Sequence, residues 1–343
     1  MKKRLLGMTP SELGETALSK GLPGFAGKQV ARWMYVRRET SLEAMTDLSK
    51  SGREALGEEF EVGAAMPVSV VCSADGTRKY LFPVDGDPQN AVEAVMIPDD
   101  DRKTLCVSSQ AGCKMGCKFC MTGRQGFHGN LSAADILSQF ITIDESSELT
   151  NAVFMGMGEP LDNWENVKRA IDVLTAPWGF AWSPKRITLS TIGVIPNLRK
   201  YLDESRCHLA VSLHNPFPEE RLEIMPVEKL YPMEDVLDLI RQYDFTGQRR
   251  VSFEYTMFAG FNDSPRHAEA LVRLLRGLEC RVNLIRFHKI PDFPYGTSSD
   301  EAMEDFKNRL QRGGLTATIR ASRGEDILAA CGMLSGKHRR GER

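Results

Sequence analysis

Between residues 105 and 319 the chain alternates short apolar runs with longer amphipathic ones. The apolar runs at 105–108, 152–155, 186–190, 209–213, 251–257, 282–287 and 316–319 read as strands. The stretches 165–174, 233–243, 267–275 and 300–311 carry the helical period. Ser132-Ala-Ala-Asp135 forms a capping-box pattern ahead of Ile136, Leu137, Phe140 and Ile141. Repeated strand–helix units predict an α/β fold with a parallel sheet, because parallel neighbours need a crossover between them. The series is long enough to curl into a partial or full barrel, whose functional groups gather at the C-terminal ends of the strands.

The chain upstream of this series follows other patterns. Residues 1–62 read as helical. Thr9-Pro-Ser-Glu12 has an N-cap, a first-turn proline and an acidic first turn. Val30, Trp33 and Met34 recur at helical spacing, and Lys28, Arg32, Arg37 and Arg38 set cations around them. A solvated basic face on a small helical bundle accounts for those cations by itself. Residues 49–60 form a further helix. Residues 63–100 change to period two, with runs at 66–72, 77–82 and 91–97 broken by Ala74-Asp75-Gly76 and Asp85-Gly86, which predicts a β-meander. The barrel then occupies 101–335, and a basic tail occupies 336–343. The sequence contains no internal repeat and no low-complexity tract.

Composition narrows the setting. With 42% hydrophobic and 26% charged residues over 343 positions, the chain is an ordinary globular protein. No apolar run reaches the length of a membrane span, and the basic start Met1-Lys-Lys-Arg4 lacks an apolar signal core. Eight cysteines in a chain this long do not make a disulfide scaffold, so the expected setting is a reducing cytoplasm. The net charge of −2 announces no nucleic-acid partner, so any RNA surface must be a local patch.

Three of the cysteines, Cys113, Cys117 and Cys120, fall in one loop as C-x3-C-x2-C, directly after the first strand of the series. Three thiolates at this spacing ligate three irons of a [4Fe-4S] cube and leave the fourth iron open. The open iron can chelate the amino and carboxylate groups of S-adenosylmethionine. Structural zinc would ask for a fourth ligand, commonly in a second pair, and no second pair is evident. Gly156-Met-Gly-Glu159 follows the second strand, and its glycines let backbone approach a ligand closely. Gly158 and Glu159 are candidates for the amino group of S-adenosylmethionine. Ser190 ends the third strand, and Ser212-Leu213-His214 ends the fourth. Each is also a plausible helix cap or strand end. Cys106 sits in the strand before the cluster loop, and Cys331 stands far away before Gly332. A lone cysteine of this kind is by default a small core residue, as read for Cys72, Cys207 and Cys280.

Taken together, several segments closely resemble the RlmN family of radical S-adenosylmethionine enzymes. They are 104–113, Gly123-Arg-Gln-Gly-Phe127, Gly156-Met-Gly-Glu-Pro-Leu161, Leu189-Ser-Thr-Ile-Gly193 and Ala329-Ala-Cys331-Gly332. Gly21-Leu-Pro-Gly-Phe25 with Lys28-Gln29, and Met45-Thr-Asp-Leu-Ser49, fit as well, so the likeness spans nearly the whole chain. It implies a partial (β/α)6-type barrel with an N-terminal accessory RNA-binding domain. The implied substrates are adenosine 2503 of 23S ribosomal RNA and adenosine 37 of certain tRNAs, methylated at carbon 2.

The resemblance also supplies roles. Cys331 takes a methyl group from one S-adenosylmethionine. A second molecule, at the [4Fe-4S] cluster of Cys113, Cys117 and Cys120, yields a 5'-deoxyadenosyl radical that removes a hydrogen from methyl-Cys331. The carbon radical adds to adenine, and a base removes the carbon-2 proton. Glu93 matches the family's proton acceptor, and Cys106 resolves the adduct through a transient disulfide. Gly158, Glu159, Ser190, Ser212, Leu213, His214 and His288 match the S-adenosylmethionine contacts. At His288 many relatives carry Asn. The implied partners are the two RNAs and an electron donor such as a flavodoxin or ferredoxin, with the chain a monomer in the cytoplasm. Arg124-Gln-Gly-Phe127 and Pro160 fit RlmN better than its sister Cfr, a carbon-8 methyltransferase, whereas Trp182-Ser-Pro-Lys185 resembles Cfr. Cfr-type chemistry is therefore the alternative.

Overall fold

One sheet, eleven-stranded among the described residues, organises the chain. The computed structural model describes residues 2–84, 86–247 and 249–336; the basic tail from Lys337 onward lies outside the described residues.

A two-strand ribbon closes the N-terminal region, which the sequence had presented only as helical. β1 (Lys3–Arg4) pairs in parallel with β2 (Phe60–Glu61). Between them lie α1 (Pro10–Ser19), α2 (Ala26–Ala31) and α3 (Lys50–Glu59). Thr9 and Glu12 cap the start of α1 reciprocally, and Ser49 caps α3. Residues Arg32–Val36 continue α2 as a π-helical turn. Gly27 is required where α1 and α2 cross, because a Cβ there would sit 2.2 Å from the Gly14 amide nitrogen.

The meander follows as β3 (Ser69–Cys72), β4 (Arg78–Val84) and β5 (Asp87–Asp99), all antiparallel. β5 continues the ladder onto β6 (Arg102–Cys106), so the meander extends the barrel sheet instead of standing apart from it. After β6 come β7 (Gln110–Gly112), α4 (Met121–Arg124) and β8 (Phe127–Asn130); β7 and β8 make a small antiparallel pair. The βα series then runs α5 (Ala133–Ile141), β9 (Asn151–Phe154), α6 (Trp164–Thr175), β10 (Ile187–Thr191), α7 (Ile195–Glu204) and β11 (His208–Ser212). It continues through α8 (Pro218–Ile224), α9 (Met233–Ile240), β12 (Val251–Ala259), α10 (Pro265–Leu274) and β13 (Cys280–Arg286). The short β14 (Gly296–Thr297) pairs back on β12, and α11 (Asp300–Arg312) leads to β15 (Thr316–Ile319).

Strands β6, β9, β10, β11, β12, β13 and β15 are parallel neighbours in that order. They make six strand–helix units and a closing strand, as the alternating pattern predicts. β12 is the most buried: Phe253, Tyr255, Met257 and Phe258 are all inaccessible, as expected of a strand covered on both faces. Besides the short α4, the helices α7 and α8 escaped the sequence reading. The last two each open on an early proline, which is favourable at a helix start but reads as a breaker in the sequence.

Candidate active site

The cluster loop hangs between β7 and β8. Gly112 has φ +71°, and a Cβ there would lie 2.0 Å from the Gly126 carbonyl oxygen, so only glycine permits this closure. Across it, the Cys113 amide donates to Gly126 O at 2.8 Å. The Cys120 amide donates to Cys117 O, and the Lys118 amide donates to Ile224 O at the end of α8. These bonds hold Cys113, Cys117 and Cys120 on the wall of one cavity of about 160 Å³.

The donor set suits a cluster better than a single ion. Among the described residues, no three His, Cys, Asp or Glu side chains are grouped to hold one metal ion. A cube asks instead for three sulfurs on three different irons. Burial pushes the Cys113 thiol up to about 12 and those of Cys117 and Cys120 upward as well, with their mutual charges adding to it. Ionising all three in this buried setting would call for a positively charged partner. Arg221, wholly buried, lends one positive charge toward Cys117.

Gly158, Glu159, Ser190, Ser212 and His214 line the same cavity. They come from the ends of three successive strands. Gly158 has φ +98°, and a Cβ there would meet the Gln110 side chain at 2.5 Å. The Glu159 carboxylate accepts from Thr191 Oγ1 at 2.6 Å, the Ile192 amide at 3.0 Å and the Leu161 amide at 3.1 Å. Burial still pushes it up to about 7. A cationic amino group bound beside it would restore the ionised form. His214 adopts φ +56°. Its Nδ1 accepts the Thr256 amide at 2.9 Å. Burial and then the Arg221 charge lower it to about 3. The imidazole is therefore neutral, with Nε2–H as its free donor. Arg221 fixes this corner by donating to the carbonyls of Ser212 and Leu213 and by pairing with Glu228.

Three expected residues stand elsewhere. Leu213 is fully buried and its side chain does not line the cavity. His288 lines an adjoining, larger cavity of about 640 Å³ that shares Ile285, Arg320 and Cys331 with the cluster cavity, and its Nε2 meets Ser322 Oγ at 3.0 Å. The cause is the two-residue alternation of extended chain. Phe287 faces the cluster cavity, which turns Arg286 and His288 to the other side. Glu93 is buried and borders a third cavity, of about 630 Å³, that Cys331 does not reach.

Cys331 stands at a junction. It lines the cluster cavity and also a small one of about 80 Å³ that it shares with Cys106 and Cys120. The segment carrying it is pinned to the cluster loop, since Met121 donates to Gly332 O and Thr122 Oγ1 donates to Leu334 O, both at 2.8 Å. Cys331 is exposed, whereas Cys106 is buried at the end of β6 and its thiol is pushed up to about 12 by burial and then by the Cys331 charge. Arg320, directly after β15, is the counter-charge. The Cys331 and Cys106 sulfurs and the Glu254 carboxylate all raise its guanidinium. The sequence reading missed Arg320, Glu254 and Arg221. Arg320 carried a signal, a charge at the C-terminal end of a barrel strand. Arg221 lies in Pro218-Glu-Glu-Arg221, which reads as a solvated helix start.

Comparison with known proteins identifies the family. Residues 3–62 match the family described as ribosomal RNA large subunit methyltransferase N-terminal domain, and residues 107–273 match the radical SAM superfamily. The chain is 60% identical over 331 residues, 96% of each chain, to a probable dual-specificity RNA methyltransferase RlmN of Porphyromonas gingivalis. It is 41% identical to the dual-specificity RNA methyltransferase RlmN of Syntrophus aciditrophicus, over 96% of this chain and 95% of that one. A crystal structure of a radical SAM methyltransferase from Sphaerobacter thermophilus superposes with a TM-score of 0.92 at 38% identity, covering 98% of this chain and 100% of the other. The chain therefore belongs to the RlmN family of radical S-adenosylmethionine methyltransferases.

Proposed function

We propose that this chain methylates carbon 2 of adenosine 2503 in 23S ribosomal RNA and of adenosine 37 in tRNAs. The observation that carries the reading is the place of Cys331, between the cavity of the three cluster cysteines and the cavity of Cys106. Cys113, Cys117 and Cys120 would hold one [4Fe-4S] cluster per chain. Gly158, Glu159, Ser190, Ser212 and His214 would hold S-adenosylmethionine, two molecules being used per turnover. The bound cluster would supply the one-electron chemistry that an electron-poor aromatic carbon requires, fed by a donor such as a flavodoxin or ferredoxin.

The chain's own groups do the rest. Cys331 takes a methyl group as a thioether, and its methyl carbon later becomes bonded to carbon 2. Cys106 then attacks the Cys331 sulfur. The sulfur–sulfur bond forms, the sulfur–methylene bond breaks, and the released carbon takes a proton to become the methyl group. The Arg320 guanidinium beside both sulfurs favours the Cys106 thiolate that this attack needs. Glu93 is taken as the proton acceptor that the resemblance implies; one of its carboxylate oxygens accepts the amides of Ser335 and Gly336 at 2.7 and 3.1 Å and the other pairs with Lys79. His288 is kept as a candidate S-adenosylmethionine contact, reaching from the larger cavity among Arg186, Arg286 and Arg323. No helix among the described residues is long and apolar enough to cross a membrane, and the reading takes the chain as a cytoplasmic monomer.

The test is mass spectrometry of nucleosides from rRNA and tRNA of cells with and without the gene. The expected result is 2-methyladenosine in both RNAs, present only with the gene. Gene-dependent 8-methyladenosine would favour the Cfr-type alternative, and no difference would sink the reading.

In residues 1–62, Lys28, Arg32 and Arg37 are exposed, and Arg37 lies 4.0 Å over the Trp33 ring. Arg38 differs: it is half-buried at φ +58° and lies over Phe180. The first three are taken as phosphate contacts, and Arg38 as the packing contact to the barrel. Replacing Lys28, Arg32 or Arg37 with Ala should weaken RNA binding and reduce the slope of log affinity against log salt by about one each. Filter binding over a salt series checks this; an unchanged slope in the triple variant removes the surface from the reading.

A further inference from the structure

The segment bearing Cys331 rests on the meander more than on the barrel. Its approach is tied by Asp75, which accepts the Gly324 amide at 2.9 Å, and by Asp326, which accepts Ser73 Oγ at 2.6 Å and the Ala74 amide at 3.1 Å. Its two ends are then held by one side-chain pair. Lys79 Nζ donates to Leu328 O at 3.4 Å, before Cys331. The Glu93 carboxylate accepts the amides of Ser335 and Gly336, after Cys331. Lys79 and Glu93 bond each other at 2.9 Å, with the Glu93 side chain 4% and the Lys79 side chain 15% exposed. The ladder explains the pairing. Lys79 stands opposite Val95 and Leu81 opposite Glu93, so the two charged side chains are diagonal neighbours on one face. Gly336 completes the seat: at φ +61° a Cβ would lie 2.2 Å from the Ala91 carbonyl oxygen.

A lysine and a glutamate buried together are costly unless their bonds are complete. Here the remaining bonds of both go to the two ends of a single segment. That segment carries a sulfur which must meet several partners in turn: a methyl donor, a base and Cys106. Fixing its ends, while Gly332 and Leu334 between them are held by the cluster loop, limits how far Cys331 travels. We propose that Lys79 is a positioning residue for Cys331, acting with Glu93 as a clasp on both ends of the segment. The inference rests on the reading of Cys331 and Cys106 as a reacting pair.

The test compares Lys79→Met with Lys79→Arg in the full chain carrying its reconstituted cluster, kept anaerobic. The first readout is amide exchange. In Lys79→Met the Ser335 and Gly336 amides should exchange at least about tenfold faster, while β12 amides keep their native rates, because only the local opening changes. The second is the equilibrium of the Cys106–Cys331 pair with glutathione, read by mass spectrometry. Oxidised glutathione takes the two electrons and two protons of the dithiol and becomes two reduced molecules, so the constant reports how well the two sulfurs are juxtaposed. It should fall about tenfold in Lys79→Met and stay within about twofold in Lys79→Arg. The third is coupling: methylated RNA formed per S-adenosylmethionine cleaved should fall in Lys79→Met while cleavage itself persists.

Should Lys79→Met not fold, the double variant Lys79→Met, Glu93→Gln leaves no unpaired buried charge and takes the same exchange and glutathione measurements. Native exchange at Ser335 and Gly336, or a native glutathione constant, in the folded variant overturns the clasp. If those two readouts move as expected but the unaltered chain methylates no RNA, the functional reading fails and the clasp stands.

Discussion

Cys106→Ala will accumulate a protein–RNA crosslink through Cys331, and Cys331→Ala will accumulate none. The two cysteines line one small cavity with Arg320 but differ in exposure, and the difference matches their roles. Exposed Cys331 can reach ligands in the cluster cavity. Buried Cys106 shares its small cavity with Cys331 and with the guanidinium that eases its ionisation. Without Cys331 nothing carries the methyl group, and no carbon–sulfur bond to the base can form. Without Cys106 the earlier bonds still form, but no thiolate is left to take the Cys331 sulfur. The turnover then stops one step before release. The effect on released product should approach complete loss in both variants, yet only one of them should migrate with RNA. A denaturing gel of each variant purified from cells, before and after ribonuclease, reads the outcome. Both variants should retain the cluster, since neither residue belongs to the loop Cys113–Cys120. Normal release of methylated RNA by Cys106→Ala, or the same crosslink in Cys331→Ala, would show the mechanism to be wrong for this chain.

The barrel was legible because its physics is periodic. Seven apolar runs became seven parallel strands, with ends displaced by at most three residues and β15 matched at both ends. The loop Cys113–Cys120 stood out because metal-ligand spacing is local in sequence, and the structure brings its three cysteines to one cavity. What was not legible depends on contacts between distant segments. The β1–β2 ribbon joins residues 3–4 to 60–61, too short for any period to show. Arg221 reads as a solvated helix residue until the carbonyls of Ser212 and Leu213 and the carboxylate of Glu228 close around it. His288 shows the opposite limit. A resemblance aligns the residue, but the pleat decides which way it faces, and Phe287 occupies the cluster side. For Glu93, the sequence offered a strand glutamate, whereas the structure surrounds it with Lys79 and with Ser335 and Gly336, from two stretches far apart in the chain.

Cys117→Ala should abolish both the cluster and the cleavage of S-adenosylmethionine. Of the three loop cysteines it is the most buried, at 8% exposure, and it sits deepest among the charges that a cluster must offset. Two remaining thiolates leave one further corner of the cube without protein, and solvent is a poor substitute in a cavity lined by Met115, Phe119 and Phe154. Even residues outside a ligand set cost about 10–100-fold in metal affinity when removed, so loss of a ligand should cost more. The fold should survive, because the bonds that shape the loop run through its backbone: Cys120 to Cys117, Cys113 to Gly126 and Lys118 to Ile224. Cys207→Ala is the control, a buried cysteine that borders none of the cavities described for the site. After anaerobic reconstitution with iron and sulfide, Cys117→Ala should lack the visible absorbance of the cluster and form no 5'-deoxyadenosine on reduction. Cys207→Ala should match the unaltered chain in both. Full cleavage by Cys117→Ala would remove the cluster from this loop, and an equal loss in Cys207→Ala would trace the effect to folding instead of ligation.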